Sequence, residues 1–353
     1  METKSLFFVH GGAKGNLLDD MALTFPRLRE VEPELLGQFM SVGVPPEMGL
    51  FPIFHKRTGK ELGCLAFLLV EGTLKTLRKS IPLMVEMISA AKRRYGDVHV
   101  KTGLGALTAP ATAQGLDLIR ALSEAGVKDV SVTNGNALTA GVTFHSALDV
   151  AKRCNKDIRL STVAVVGAAG SVGGATAELF ARNCGKLILI ERSHNIDRLA
   201  QNVSSWRSTS TIEIHSEIEE IKKADMVVVT SSAEKAIIQP EHLSQNAIVY
   251  EDTMPLNTNI AAVKEQRKDV VIVDGCRLFT PNLRYSMNIG LPDNYAYACF
   301  VQTMMESIEN DWNDHVGCTN ADKAEEMMSR MLNHSDLFQM PTAYFSGGQP
   351  LSI

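Results

Sequence analysis

"VAVVGAAGSVGGATAELF", residues 163–180, opens as a run of apolar, strand-favouring residues and closes as an alanine-rich helix. Between the two lie Gly167, Gly170 and Gly173, spaced G-x-x-G-x-x-G. The first glycine permits the tight turn after the strand, the second lets a pyrophosphate approach the backbone, and the third lets helix and strand pack closely. The helix that starts there offers N–H groups and the positive end of its dipole to the phosphates. The stretch reads as a dinucleotide site, with Gly167, Ala168, Gly170, Ser171, Val172 and Gly173 as its binding positions.

Working outward, strands are expected at 162–166, 186–190, 212–215, 226–230, 247–250 and 270–273, with helical or loop crossovers between them. That rhythm is the pattern of a doubly wound parallel sheet, the Rossmann arrangement. The second strand ends in "LILIERS", which places Glu191 24 residues after Gly167. An acid there suits the adenosine ribose hydroxyls of NAD, whereas Arg192 beside it suits the 2′-phosphate of NADP. The two signals conflict, so NADPH and NADH both stand as cofactors. "VVVTSSA", 227–233, runs from a strand into small hydroxyl residues, which makes Thr230 and Ser231 expected cofactor contacts.

Upstream, 5–9, 37–42 and 61–70 read as strands from their β-branched and aromatic content. Leu74, Leu77, Ile81, Met84, Val85 and Ile88 form an apolar helical stripe, with Ser80 and Pro82 marking a kink or restart inside it. A strand at 97–103, a helix from Thr112 to Ala125 and a strand at 129–134 continue an α/β alternation. "TNGNALTA", 133–140, is a turn that launches a long helix. The expected fold is therefore α/β: an N-terminal α/β substrate or acyl-binding domain over 1–140, a Rossmann NAD(P) domain over 141–284, and a C-terminal helical segment over 285–353 that folds back across the cleft.

Composition narrows the classes. A net charge of −5 gives no electrostatic case for nucleic-acid binding. No apolar run reaches membrane-spanning length, and "METKSLFFVHGG" reads as a first strand and not a signal peptide. The six cysteines are scattered, with neither C-x-x-C pairs nor zinc spacing, which suits a reduced, cytoplasmic protein without a metal site, each Cys by default a small buried hydrophobe.

A catalytic group is harder to place. No Y-x-x-x-K follows the glycine motif, and His145 stands alone on a mixed helix face. In "PDNYAYACFVQTMMESIEN", 292–310, Pro292 and Asp293 read as a helix start. Tyr295, Cys299, Gln302, Thr303 and Glu306 then share one more polar face, with Cys299 at least a turn inside the helix.

Taken in order, several segments resemble the long-chain acyl–acyl carrier protein reductases of cyanobacteria, which form fatty aldehydes. They are "HGGAKGNLLDDMALTFPRL", "GKELGCLAFLLV…LRKS", "TNGNALTAGVTFHSAL", "TVAVVGAAGSVGGATAELFAR" and "YACFVQTMMESIE". The resemblance implies that Cys299 is a catalytic nucleophile. It implies an acyl thioester of a carrier protein or CoA as substrate, NADPH or NADH as reductant, and a downstream enzyme that consumes the aldehyde. Asn134 and Asn136 of the "TNGN" turn are the candidate donors to the developing oxyanion. Two departures stand out: Ala137 and Leu138 replace polar residues of the family's turn, and Glu191 replaces a small residue before the Arg, which leans toward NADH.

Because carrier proteins are acidic, basic runs become candidate docking surfaces: "HKRTGK" at 55–60, Lys75 with Arg78 and Lys79, and Lys92 with Arg93 and Arg94. Two alternatives remain. One is a shikimate-dehydrogenase-like oxidoreductase with direct hydride transfer to a small substrate, for which Lys101 and Asp117 are the nominated pair. The other is a nucleotide-binding protein without chemistry.

Overall fold

Alternation in "TKSLFFVH" builds the first sheet, because successive side chains point to opposite faces and both faces are covered. In a computed structural model of the chain, residues 1–10, 46–68, 70 and 72–353 are described. The strand expected at 37–42 and most of the segment beginning "HGGAKGN" lie outside them. The chain divides into two units: 1–135 with 280–317 and 334–338, and 136–279 with 318–333 and 339–353. Both the N-terminal and the C-terminal thirds of the expected layout differ from this division. The cuts fall at 135 and 279, and residues beyond 285 are shared between the units.

In the first unit, β1 (Thr3–His10), β2 (Leu50–His55), β3 (Glu61–Leu68), β4 (His99–Leu104) and β5 (Val130–Thr133) join the edge strand Leu283–Tyr285. Their order is Leu283–Tyr285, β2, β3, β1, β4, β5. β1 runs parallel to β3 and β4, and β2 antiparallel to β3. One face packs Leu6, Phe8, Ala66 and Leu68 against Met84, Met87, Ile88 and Leu118 of the flanking helices. Phe7, on the opposite face, meets Phe300 edge-on at 5.2 Å.

The expected restart after Leu77 is present. Helix Leu74–Lys79 ends at Ser80 and helix Ile81–Tyr95 begins with Pro82 in its first turn, where a missing N–H costs nothing. Ser80 Oγ donates back to the Thr76 carbonyl and does not cap the second helix. The helix expected from Thr112 to Ala125 is shorter, Leu116–Glu124, with a separate turn at Thr108–Ala111. Ala113, Gln114 and Gly115 all take positive φ (50°, 60° and 96°), which no α-helix can run through.

The second unit holds β6 (Thr162–Val166), β7 (Lys186–Ile190), β8 (Thr211–His215), β9 (Met226–Val229), β10 (Ile248–Glu251) and β11 (Val271–Asp274), within one residue of expectation at each end. Their order is β8-β7-β6-β9-β10-β11, all parallel. Numbered within the sheet this is 3-2-1-4-5-6, the doubly wound dinucleotide topology. Helices Asn136–Arg153 and Ser171–Ala181 cover one face through Phe144, Phe180 and Ala177, while Ile221, Leu243 and Val263 cover the other. Helix Ala321–Leu332, capped by Asn320, lies on the first of these helices, where Gly141 allows Met328 to approach.

Candidate active site

The glycine turn sits at the point where the sheet order reverses, between β6 and β9. Gly167 takes φ +89°, and a Cβ on it would lie 2.7 Å from Ser231 Cα. A Cβ on Gly173 would lie 2.2 Å from the Gly167 carbonyl oxygen and 2.6 Å from Thr230 Oγ1. The first and third glycines thus serve the turn and the packing, as their spacing implies. Gly170 is the N-cap, Ser171 and Val172 open the helix, and Ala168 is fully buried beneath. Thr230 and Ser231, the expected cofactor contacts, flank the turn. Thr230 Oγ1 donates to the Val166 carbonyl at 2.9 Å, and Ser231 Oγ bonds Asn257 Oδ1.

Glu191 is anchored in place. Its Oε2 accepts from the Ala169 amide at 2.9 Å, and its Oε1 accepts from the Arg192 amide at 2.9 Å and Asn195 Nδ2 at 3.3 Å. The Arg192 side chain is exposed. A helix N-terminus over small residues, with a fixed carboxylate at the next strand end, fits a dinucleotide. NAD(P)H is the cofactor that this site suits.

The stretch 292–310 differs from the sequence expectation. Residues Tyr295–Tyr297 form a strand, and the helix begins at Ala298, with Tyr297 as N-cap. Pro292–Asn294 is a turn, with Asn294 at φ +65° and the Tyr295 amide donating to the Pro292 carbonyl at 3.1 Å. Cys299 is therefore the second residue of the helix Ala298–Ile308 and half-buried, and Tyr295 is not on its helix face. A thiol in the first turn lies near the positive end of the helix dipole.

The "TNG" end of the predicted turn packs directly on this cysteine. Gly135 takes φ +67°, and a Cβ on it would lie 2.4 Å from Cys299 Cα. Asn134 is brought close in sequence, but its amide is engaged. Nδ2 donates to the Gly317 carbonyl at 2.8 Å and the Gln114 carbonyl at 3.2 Å, which makes it a clamp for two loops. Asn136 is the buried first residue of helix Asn136–Arg153.

Lys101 and Asp117 are not a pair. Lys101 is fully buried and bridges Glu306 at 3.1 Å, while Asp117 sits on its own helix with Arg120 at 3.6 Å. His145 is exposed. Cys318 is exposed too, contrary to the default of buried cysteines, while Cys64, Cys184 and Cys276 are buried. Of the basic runs, Lys92, Arg93 and Arg94 pair with Asp129, Glu47 and Glu61, and Lys60 with Glu2. Lys75, Arg78 and Lys79 are exposed.

Sequence reasoning missed two features. One is the buried Lys101–Glu306 pair, whose partners lie too far apart in the chain for any spacing rule. The other is Asp252, at the end of β10, whose carboxyl burial pushes up to about 7 although it accepts from Thr143 Oγ1. Its only sequence signal is an acid at a strand's carboxyl end, where such sheets bind ligands. Among the described residues no helix is long and apolar enough to cross a membrane, and no cluster of three His, Cys, Asp or Glu could hold a metal.

No family model matches the chain. The long-chain acyl-[acyl-carrier-protein] reductase of Synechococcus elongatus is 26% identical over 183 residues, which cover 50% of this chain and 52% of that one. The aminotransferase PigE of a Serratia strain is 24% identical over 188 residues, covering 51% of this chain and 22% of that one. The chain thus matches about half the length of the first relative and about a fifth of the second.

Among solved structures, shikimate 5-dehydrogenase from Listeria monocytogenes, in complex with shikimate and NAD, aligns with a TM-score of 0.36 at 10% identity, covering 93% of this chain and 96% of that one. The A chain of dipicolinate synthase from Bacillus subtilis aligns with a TM-score of 0.36 at 12% identity, covering 77% and 88%. The strand order and glycine turn of the second unit make it a Rossmann-type nucleotide-binding fold of the kind NAD(P)-dependent oxidoreductases use.

Proposed function

We propose that the protein is an NAD(P)H-dependent reductase of acyl thioesters that forms an aldehyde through an acyl-Cys299 intermediate. The observation that carries this reading is the placement of Cys299 in the first turn of its helix, packed against the Gly135 turn. The partial likeness to the acyl-[acyl-carrier-protein] reductase supports it.

In this reading the Cys299 thiolate attacks the acyl carbonyl and forms a new C–S bond. The old C–S bond breaks, and the carrier or CoA leaves as a thiolate that takes a proton from solvent. Bound NAD(P)H supplies a hydride for the acyl carbon. The resulting thiohemiacetal on Cys299 collapses, releasing aldehyde and returning the thiolate. Covalent tethering converts the reduction into an intramolecular step and fixes the carbon to be reduced. The anchored Glu191 carboxylate favours NADH by receiving the ribose hydroxyls and repelling a 2′-phosphate. An acidic carrier protein would meet the exposed Lys75, Arg78 and Lys79.

Aldehyde production from acyl-CoA or acyl carrier protein with NADH tests the reading. Wild type should form aldehyde and Cys299→Ser should form none. Equal oxidation of NADH by both proteins with a small keto acid would favour direct hydride transfer.

A further inference from the structure

We propose that Glu306 is a positioning residue. Acting through Gln302 and Thr133, it holds the Cys299 end of its helix against the 133–135 turn. The inference rests on the reading of Cys299 as nucleophile.

Glu306 and Lys101 are both fully buried, with Nζ 3.1 Å from Oε2, and Lys101 Nζ also donates to the Asn313 carbonyl at 2.6 Å. The other carboxylate oxygen, Oε1, accepts from Gln302 Nε2 at 2.7 Å and from Thr133 Oγ1 at 3.3 Å. Gln302 Nε2 reaches Thr133 Oγ1 as well, at 3.2 Å, and the same hydroxyl accepts from the Gly135 amide at 3.4 Å. Gly135 in turn lies on Cys299. A polar chain therefore runs unbroken from β4 to the backbone beside the thiol.

Helix geometry gives the chain its leverage. Positions 299, 302 or 303, and 306 fall on one face over two turns, so a lock at 306 fixes the rotation of the whole face. Thr303 Oγ1 donates to the Cys299 carbonyl at 3.0 Å, and a Cβ on Gly103 would strike Thr303 Oγ1 at 2.0 Å. The helix is thus seated closely on β4 at its middle and locked at 306. Its N-terminal residue then has one orientation against the turn. A buried ion pair often adds no more stability than an apolar pair of similar volume. A fixed geometry at the thiol is what the pair supplies instead.

The test uses full-length protein carrying Cys318→Ser, so that the exposed thiol does not react, with Glu306→Gln, Gln302→Ala, Thr133→Val and Thr133→Ser. Iodoacetamide alkylation of Cys299 is followed by peptide mass across pH, alongside single-turnover acylation by an acyl-CoA. Thr133→Val, Gln302→Ala and Glu306→Gln should slow acylation tenfold or more and shift the alkylation–pH profile. The half-saturating donor concentration should change less than twofold, and Thr133→Ser should stay within twofold of wild type. If Glu306→Gln does not fold, Thr133→Val and Gln302→Ala, which leave the ion pair intact, carry the test. Wild-type profiles and rates in those two variants overturn the proposal. An unacylated wild type overturns the nucleophile reading instead, while the alkylation profile still reports on the network.

Discussion

Gly135 lies so close to Cys299 that a Cβ on the glycine would come within 2.4 Å of both the cysteine's Cα and its Cβ. Its φ of +67° is also one that an L-side chain adopts only at a cost. The turn and the helix N-terminus are therefore fitted to each other at backbone level, with no room for a side chain between them.

Gly135→Ala should consequently harm both fold and site. The left-handed conformation alone costs about 1–2 kcal/mol, and relief of the overlap adds to it by moving the helix end. Thermal melting should show a destabilisation of that order, and acylation of Cys299 should fall by tenfold or more. An alanine variant with wild-type acylation would mean that the close approach has no bearing on the thiol.

Gly173→Ala tests the nucleotide half separately. The added Cβ would lie 2.2 Å from the Gly167 carbonyl oxygen, which must move or push the helix off the strand. Overpacking of this kind costs about 1–3 kcal/mol. NADH affinity, read from the quenching of nucleotide fluorescence, should weaken at least tenfold. Acylation of Cys299, measured without nucleotide, should change little.

Glu191 is the proposed determinant of cofactor choice. Its carboxylate is held by the Ala169 and Arg192 amides, so it cannot swing away from a 2′-phosphate without losing both bonds. Wild type should bind NADH more tightly than NADPH. Glu191→Ser should shift the ratio of dissociation constants toward NADPH by about tenfold, equivalent to about 1.4 kcal/mol. Tighter NADPH binding by wild type would show that Arg192, and not Glu191, governs the pocket.

Burial raises the Asp252 carboxyl from 3.8 to about 7, and Glu251 beside it is raised by burial as well. The direction of the stability effect follows. Below the unfolded value both states keep the proton and nothing is lost. Between about pH 4 and pH 7 the unfolded chain releases its proton while the folded chain holds it, so stability falls as pH rises, and it levels off above 7. The loss attributable to Asp252 is at most on the order of 4 kcal/mol. Asp252→Asn should flatten the profile of denaturation midpoint against pH over that window. An unchanged slope would show that Asp252 ionises normally in the folded protein.

Much of this was legible in the sequence, for identifiable reasons. The central strands of the second unit, β6, β7 and β9, are short apolar runs buried on both faces, so each reads plainly and falls within a residue of its expected ends. "PDNYAY" misled because Pro-Asp resembles a helix start. Asn294 can take the left-handed conformation, however, and Tyr295–Tyr297 then extends as a strand. That difference moves Cys299 from the helix interior to its first turn.

The tripeptide Ala113–Gly115 breaks a helix that propensity alone favours, and the Gln114 carbonyl accepts instead from the Gly317 amide and from Asn134 Nδ2. The strand Leu50–His55 is not legible because Pro52 lies inside it, and proline is rare in strands that pair on both sides. Lys101 and Glu306 were invisible as a pair, since only the fold brings β4 and the distant helix together.

Whether Cys299 carries the acyl group is read from the intact-protein mass. The protein is incubated with a long-chain acyl-CoA or acyl carrier protein and no nicotinamide, then with NADH added. A single acyl adduct should form that maps to Cys299, is absent in Cys299→Ala, and disappears when NADH arrives with release of aldehyde. No adduct from either donor over a range of chain lengths, or an adduct that persists in Cys299→Ala, would contradict it.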